Sequence, residues 1–218
     1  MGNSGGRGVT WAKKTLKEFQ DALASSDPTP GGGSAAAVAL GQAAALAVMV
    51  SELTLAKESL SDGWSISEQV KFVAEPFLKT GLELATSDSD AFDAVVASFR
   101  LPKETDEDKE KRRDAIRLAT LGAAEVPYQT ATSALQLLRL LPELAEKGNP
   151  NAASDVGVSA LLASAALKGA IFNVEINLQS LPTEMGMEMR ENLANLIEEG
   201  RVYSRMSMDA VRERLANS

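Results

Sequence analysis

Apolar positions along this chain recur at helical rather than strand spacing. In 15–24, Leu16, Phe19 and Leu23 fall on one side and Lys17, Glu18 and Asp21 on the other, the signature of a short amphipathic helix. From 35 to 55 the chain is apolar almost all round, with Gln42 and Ser51 the polar interruptions before Glu52. A long segment over 65–99 carries Ile66, Val70, Val73, Phe77, Leu82, Leu84, Phe92, Val95, Val96 and Phe99, and Pro76 within it predicts a kink or break. Thr105 and Asp108 form a capping-box pattern that opens the next helix. Pro127 is expected to divide a helix over 115–125 from another over 128–147. After the turn signal Gly148-Asn149-Pro150, helices are predicted over 152–178, 183–201 and 207–216. No segment alternates with period two. The pattern therefore predicts an all-α antiparallel helical bundle, one domain over 15–218 preceded by a flexible tail over 1–14.

One stretch departs from ordinary patterning. Pro28 and Pro30 restrict the backbone, and Gly31, Gly32 and Gly33 permit close approaches that a Cβ forbids. Ser34 reads as the N-cap of the apolar helix, whose free N–H groups would face whatever the glycines admit. The loop lacks the lysine of a P-loop and the spacing of a dinucleotide fingerprint. The following helix approaches membrane-spanning length, but it is Ala-rich without basic or aromatic flanks, so a buried core helix is expected. Ala37, Gly41 and Ala45 at helical spacing would let another helix, or a symmetry mate, come close.

Charge and composition narrow the chemistry. A net charge of −8 with no basic run argues against a nucleic-acid partner and against an anionic membrane surface. The absence of Cys removes disulfides, thiolate metal sites and thiol nucleophiles. The absence of His removes the Ser-His-Asp arrangement, the usual zinc ligands and the commonest general base. What is left is Asp, Glu, Lys, Tyr, hydroxyls, amides and main chain. The run Asp88, Asp90, Asp93 reads by pattern first as a solvated face or an N-cap and second as chemistry, with helical phasing taken to set Asp90 apart from the other two. Asp155, Asn173, Glu175 and Asn177 are polar exceptions in an apolar helix and need partners. Both Trp residues fall in segments expected to be peripheral.

Three separated blocks, PTPGGGSAAA at 28–37, DSDAFDAVVASFRLPK at 88–103 and KGNPNAASDVGVSALLASAALKGAIFNVEINL at 147–178, resemble the cyclodeaminase and methenyltetrahydrofolate cyclohydrolase family. The resemblance spans about 15–215. It implies a cytoplasmic all-helical homodimer acting on a tetrahydrofolate derivative as substrate, with no metal and no tightly bound cofactor. Where the family pattern Asn-Leu-Thr-hydrophobic-Gly-Lys is expected, the chain has Glu52-Leu53-Thr54-Leu55-Ala56-Lys57, keeping the Lys but not the Asn or Gly.

The resemblance further implies that Asp88 and Asp155 position water and shuttle its proton, with Lys57 as a donor or as a grip on a folate carboxylate. Beside Pro30, the loop Gly31, Gly32, Gly33 and Ser34 would offer main-chain donors to the substrate, and Asn149, Asn151, Asn173 and Asn177 amides for the pterin edge, though any of these Asn could instead cap a helix or satisfy a helix partner. The methenyl bridge is part of an amidinium cation, already electrophilic, so carboxylates alone suffice to take a proton from attacking water and return one to the departing nitrogen. Hydrolysis to 10-formyltetrahydrofolate is the expected reaction, since this one domain accounts for the chain. Ammonia-releasing cyclisation of 5-formiminotetrahydrofolate and a non-catalytic folate-binding dimer are the alternatives.

Overall fold

The computed structural model describes residues 10–217, all helix and connecting loops with no strand among them. Seven α-helices follow in order: α1 Leu16–Leu23, α2 Gly32–Leu55, α3 Trp64–Ser98, α4 Asp106–Leu138, α5 Leu141–Lys147, α6 Ala153–Gln179 and α7 Met187–Ala216. Short 3-10 turns occupy Trp11–Lys13, Glu58–Gly63 and Pro150–Ala152. Helices α2 and α6 run antiparallel at the centre, with α3 packed on α2, α4 bridging α3 and α6, and α7 covering α6.

Small residues let these helices approach closely. A Cβ on Gly81 would stand 2.9 Å from the Ala37 carbonyl oxygen and from the Gly41 nitrogen, so the α2–α3 crossing requires glycine there. This is the close contact that Ala37 and Gly41 predict, made within the chain. On the other side of α2, the buried Ser159 hydroxyl of α6 donates to the Ala43 carbonyl at 2.8 Å. Leu40, Val50, Leu137, Leu144 and Leu167 fill the space between these layers, each almost completely buried. Two helical segments, 32–55 and 150–179, are long and apolar enough to cross a bilayer, and about half of each is buried inside the protein.

Three expectations about helix ends need correction. Neither Pro76 nor Pro127 interrupts its helix. Pro76 lies on the solvent side of α3, and the carbonyl it leaves without a donor belongs to Phe72, which is 83% exposed, so water can serve it. The break falls instead at Arg139–Leu140, ahead of Pro142 in the first turn of α5, where proline is tolerated. The two helices expected over 183–216 are one, α7, because Gly200 does not end it: a Cβ there would sit 2.1 Å from Leu167 Cδ2, and the residue makes room for that side chain.

Of the flexible tail expected over 1–14, only 10–14 falls among the described residues. Residues 1–9 lie outside the described part, but Trp11 is buried, stacks edge-on against Phe19 at 5.4 Å and hydrogen-bonds α3, so it is not peripheral. Trp64 is half-buried at the opposite end of α3.

Candidate active site

The glycine-rich turn ahead of α2 and helix α3 build one polar pocket together. The Thr29–Pro30 peptide bond is cis, Gly31 is the N-cap of α2, and Gly32, Gly33 and Ser34 form its first turn. Ser34 is thus inside the helix, not its cap: it is fully buried, and its hydroxyl donates to Asp88 Oδ2 at 2.8 Å. The Ser34 main chain also favours the charged form of this carboxylate. A carboxylate at a helix N-terminus satisfies an orphan donor and meets the positive end of the helix dipole. Glycine leaves the carboxylate its place, since a Cβ on Gly33 would lie 2.1 Å from Asp88 Oδ1.

Asp88 carries two opposed influences. Burial raises its pKa above the ordinary carboxylate value, and the hydrogen bonds from the Ser34 hydroxyl and main chain pull it back. A carboxyl group held in that balance can exchange a proton nearer neutrality than a solvated one. The phasing expected for its neighbours is wrong. Asp90 and Asp93, three residues apart and hence about 60° apart on the helix, share a separate groove with Asp27 and Thr29, and Asp88 alone enters the pocket.

The remaining wall comes from α4 and α6. The cavity is about 230 Å³ and is lined by Pro28, Thr29, Gly31, Gly32, Gly33, Asp88, Phe92, Ala123, Asn173 and Asn177. Pro127 explains part of this wall. It removes the N–H that would have bonded to the Ala123 carbonyl, and Asn177 Nδ2 donates there instead at 2.9 Å. The same amide donates to the Asn173 carbonyl at 2.9 Å, and Asn173 Nδ2 donates to the Gly169 carbonyl at 2.8 Å. Asn177 therefore has both amide hydrogens committed, and what it offers a ligand is an acceptor oxygen. Together with Asp88, the pocket is rich in acceptors and suits a cationic or N–H-bearing group.

The other predicted residues are elsewhere. Eighteen residues of α6 separate Asp155 from Asn173, a rise of about 27 Å. Lys57, Asn149 and Asn151 lie at that same far end, where α2 finishes. Asn149 is structural: its N–H donates to Thr54 Oγ1 at 2.9 Å, its Nδ2 to the Leu53 carbonyl at 3.2 Å, and its Oδ1 accepts the Asn151 N–H at 3.1 Å. Asn151 and the Lys57 side chain are exposed, and Asp155 is half-buried in the first turn of α6. Glu52 forms an ion pair with Lys71, tying α2 to α3. Thus the structure brings together Pro28 to Ser34, Asp88, Asn173 and Asn177, with Pro30 in the turn that leads in, and leaves Lys57, Asn149, Asn151 and Asp155 outside that pocket. Phe92 and Ala123 are pocket residues that sequence reasoning missed. Phe92, four residues after Asp88 and thus on the same helix face, was the one legible beforehand.

Residues 15–195 match the family model described as formiminotransferase-cyclodeaminase. A methenyltetrahydrofolate cyclohydrolase of Methylorubrum extorquens is 36% identical over 203 residues, covering 93% of this chain and 98% of that protein. A formimidoyltransferase-cyclodeaminase of Sus scrofa is 30% identical over 93% of this chain, which spans only 38% of that longer relative. Among solved structures, formiminotetrahydrofolate cyclodeaminase of Thermotoga maritima is similar with a TM-score of 0.77 at 29% identity, covering 94% of this chain and 98% of that one.

Proposed function

The chain belongs to the formiminotransferase-cyclodeaminase family, and from that premise we propose that it hydrolyses 5,10-methenyltetrahydrofolate to 10-formyltetrahydrofolate at the Asp88 pocket. The observation that carries this assignment is the part-buried Asp88 carboxyl, with its pKa raised by burial, in a pocket whose side-chain polar groups offer acceptors. The substrate's bridging carbon belongs to an amidinium cation. Asp88 sits where it can attract that cation and take a proton from water attacking the carbon. The neutral carboxylic acid then returns the proton to the departing nitrogen as its bond to the carbon breaks, and the carbinol hydroxyl gives its own proton to solvent as the formyl C=O forms. Attraction of the cation accelerates the reaction only as far as the carboxylate stabilises the transition state more than the bound substrate. The name of the 36% identical Methylorubrum relative supports hydrolysis over ammonia release. Within one chain the reading changes from a pair of carboxylates to one, since Asp155 is at the far end of α6.

The quaternary part of the reading is a cytoplasmic homodimer. Its support is a contiguous apolar face: helical phasing puts Ala39, Leu46, Met49 and Leu53 of α2 beside Val158, Leu161, Phe172 and Ile176 of α6, with Phe172 65% and Ile176 68% exposed. A second copy covers this face in the proposal, consistent with Gln42 and Lys168 in its middle, which a bilayer would penalise. A two-fold axis lying across the helices would lay the Lys57 and Asp155 end of one copy over the Asp88 pocket of the other. The pocket's volume is below the roughly 300–1,000 Å³ of sites that enclose a drug-sized ligand, which also favours completion by a second surface.

Incubating the purified protein with methenyltetrahydrofolate, following the loss of its absorbance, and in parallel assaying ammonia release from formiminotetrahydrofolate tests the reaction. Hydrolysis above the spontaneous rate that disappears in Asp88→Asn supports the assignment. Parent-level turnover by Asp88→Asn would sink it.

A further inference from the structure

We propose that Trp11 is a positioning residue for Asp88, acting through a one-way relay of hydroxyl groups. The relay is continuous. Trp11 Nε1 lies 3.0 Å from Ser89 Oγ, Ser89 Oγ lies 3.1 Å from Ser34 Oγ, and Ser34 Oγ lies 2.8 Å from Asp88 Oδ2. All three linking groups are buried, with Trp11 at 8%, Ser89 at 5% and Ser34 at 0% exposure.

The direction of the chain follows from what each group can do. An indole N–H can only donate, so Ser89 Oγ accepts from Trp11. An ionised carboxylate can only accept, so the Ser34 hydroxyl spends its hydrogen on Asp88 and presents a lone pair to Ser89. The Ser89 hydrogen then points to Ser34 at 3.1 Å in preference to the longer contact with the Ala85 carbonyl at 3.4 Å. Every link donates toward the carboxylate, and donors in series polarise one another. The last link is therefore a stronger donor to Asp88 than an isolated serine, and it favours the charged form that burial disfavours.

This role is not shared with other groups at the site. The influences acting on Asp88 are burial and Ser34. Charged side chains on the surrounding elements include Lys14, Glu18, Asp21 and Asp27 before α2, Asp90 and Asp93 on α3, Glu125 on α4 and Glu175 on α6. Of these, all but the last two line the groove on the Trp11 side rather than the Asp88 pocket. Trp11 is held for the task from two further directions, by its main-chain N–H to Thr86 Oγ1 at 3.0 Å and by its edge-on contact with Phe19.

The inference rests on Asp88 being the proton acceptor of the proposed reaction, so its test has one arm that needs no turnover. Trp11→Phe keeps an aromatic ring against Phe19 and removes the indole donor along with part of the ring; Ser89→Ala removes the middle link. The ¹³C carboxyl resonance of Asp88, assigned by its loss in Asp88→Asn, is titrated in each variant, and kcat/KM for the methenyl substrate is measured against pH. Both variants are expected to raise the Asp88 midpoint and to move the acid limb of the profile upward. On the acid side this reads as a loss of about threefold, the scale of one net hydrogen bond, with the plateau unchanged. The double variant should shift no further than Ser89→Ala alone, since the links are in series. An unmoved carboxyl titration in Trp11→Phe overturns the proposal, as does a loss equal at every pH, which marks a merely structural role. Should Trp11→Phe fail to fold, the Ser89→Ala titration decides: a shift upholds the relay and its absence overturns it. Turnover by Asp88→Asn would refute the catalytic reading while leaving the titration a valid test of the relay.

Discussion

Replacing Gly33 with alanine puts a single methyl group where the carboxylate of Asp88 now sits. The new Cβ would be 2.1 Å from Oδ1, 2.7 Å from Cγ and 2.8 Å from Oδ2, all inside the 3.0 Å that real Cβ contacts respect. Helix α2 cannot retreat from α3, because its other side is packed on α6, where the buried Ser159 hydroxyl bonds the Ala43 carbonyl at 2.8 Å. The carboxylate must therefore swing away by about 1 Å and give up the 2.8 Å bond from Ser34. Two stability effects oppose each other: alanine is the better helix former by up to about 1 kcal/mol, and overpacking costs about 1–3 kcal/mol. The fold should survive with a modest loss. Activity should not, because misplacing a catalytic group by about 1 Å costs on the order of 100-fold in rate, or about 2.7 kcal/mol in the barrier. Steady-state decay of the methenyl absorbance, with thermal unfolding by circular dichroism on the same samples, reads both quantities. Gly122→Ala is the control, a helical glycine outside the pocket lining whose Cβ would meet nothing within 4 Å. Gly33→Ala that folds and keeps kcat/KM within a few-fold of the parent would refute the placement of Asp88 at the reaction centre.

Asp88→Asn should lower kcat by about 10²–10⁴-fold, the usual worth of a general base. It should also melt higher than the parent at neutral pH. A carboxyl group whose folded pKa is raised contributes stability fully at pH below its unfolded value and loses it as pH rises through the folded one, so the gap in melting temperature should close on acidification. Asn177→Ala should cost about 1–3 kcal/mol by orphaning the Ala123 carbonyl. In a Pro127→Ala background, where a helical N–H is restored to that carbonyl, urea denaturation should find the penalty clearly reduced. Mixing Asp88→Asn and Asp155→Asn chains under subunit exchange should restore about a quarter of parent activity if each site draws on both copies of a two-fold dimer. A fully active Asp155→Asn would instead confine the site to one chain.

How much of this was legible beforehand depended on how local the physics is. Helix existence follows from apolar spacing within a few turns, so the all-helical bundle and the long central helices could be read directly from the order of residues. Gly33 and Asp88 could be picked out as unusual, and so could the polar residues stranded in α6. Their grouping could not. The sequence reading paired Asp88 with Asp155 and set Asn149 beside Asn173, but helix rise converts sequence separation along α6 into about 27 Å of distance. Antiparallel packing then sends one partner of each pair to either end of the bundle.

Prolines show the same division. Pro127 announces a missing N–H in the one-dimensional chain, and only packing decides that an amide from α6 fills the gap and that the helix therefore continues. Trp11 was invisible as a functional residue because the partner of its indole N–H is not local: it meets Ser89, 78 positions away. Residue order thus determined the helices and the kinds of group available for chemistry. Tertiary structure decided which groups share a pocket, which amides are already committed to main-chain carbonyls, and which way the hydrogen bonds run, because each of these is a contact between segments that no local preference encodes.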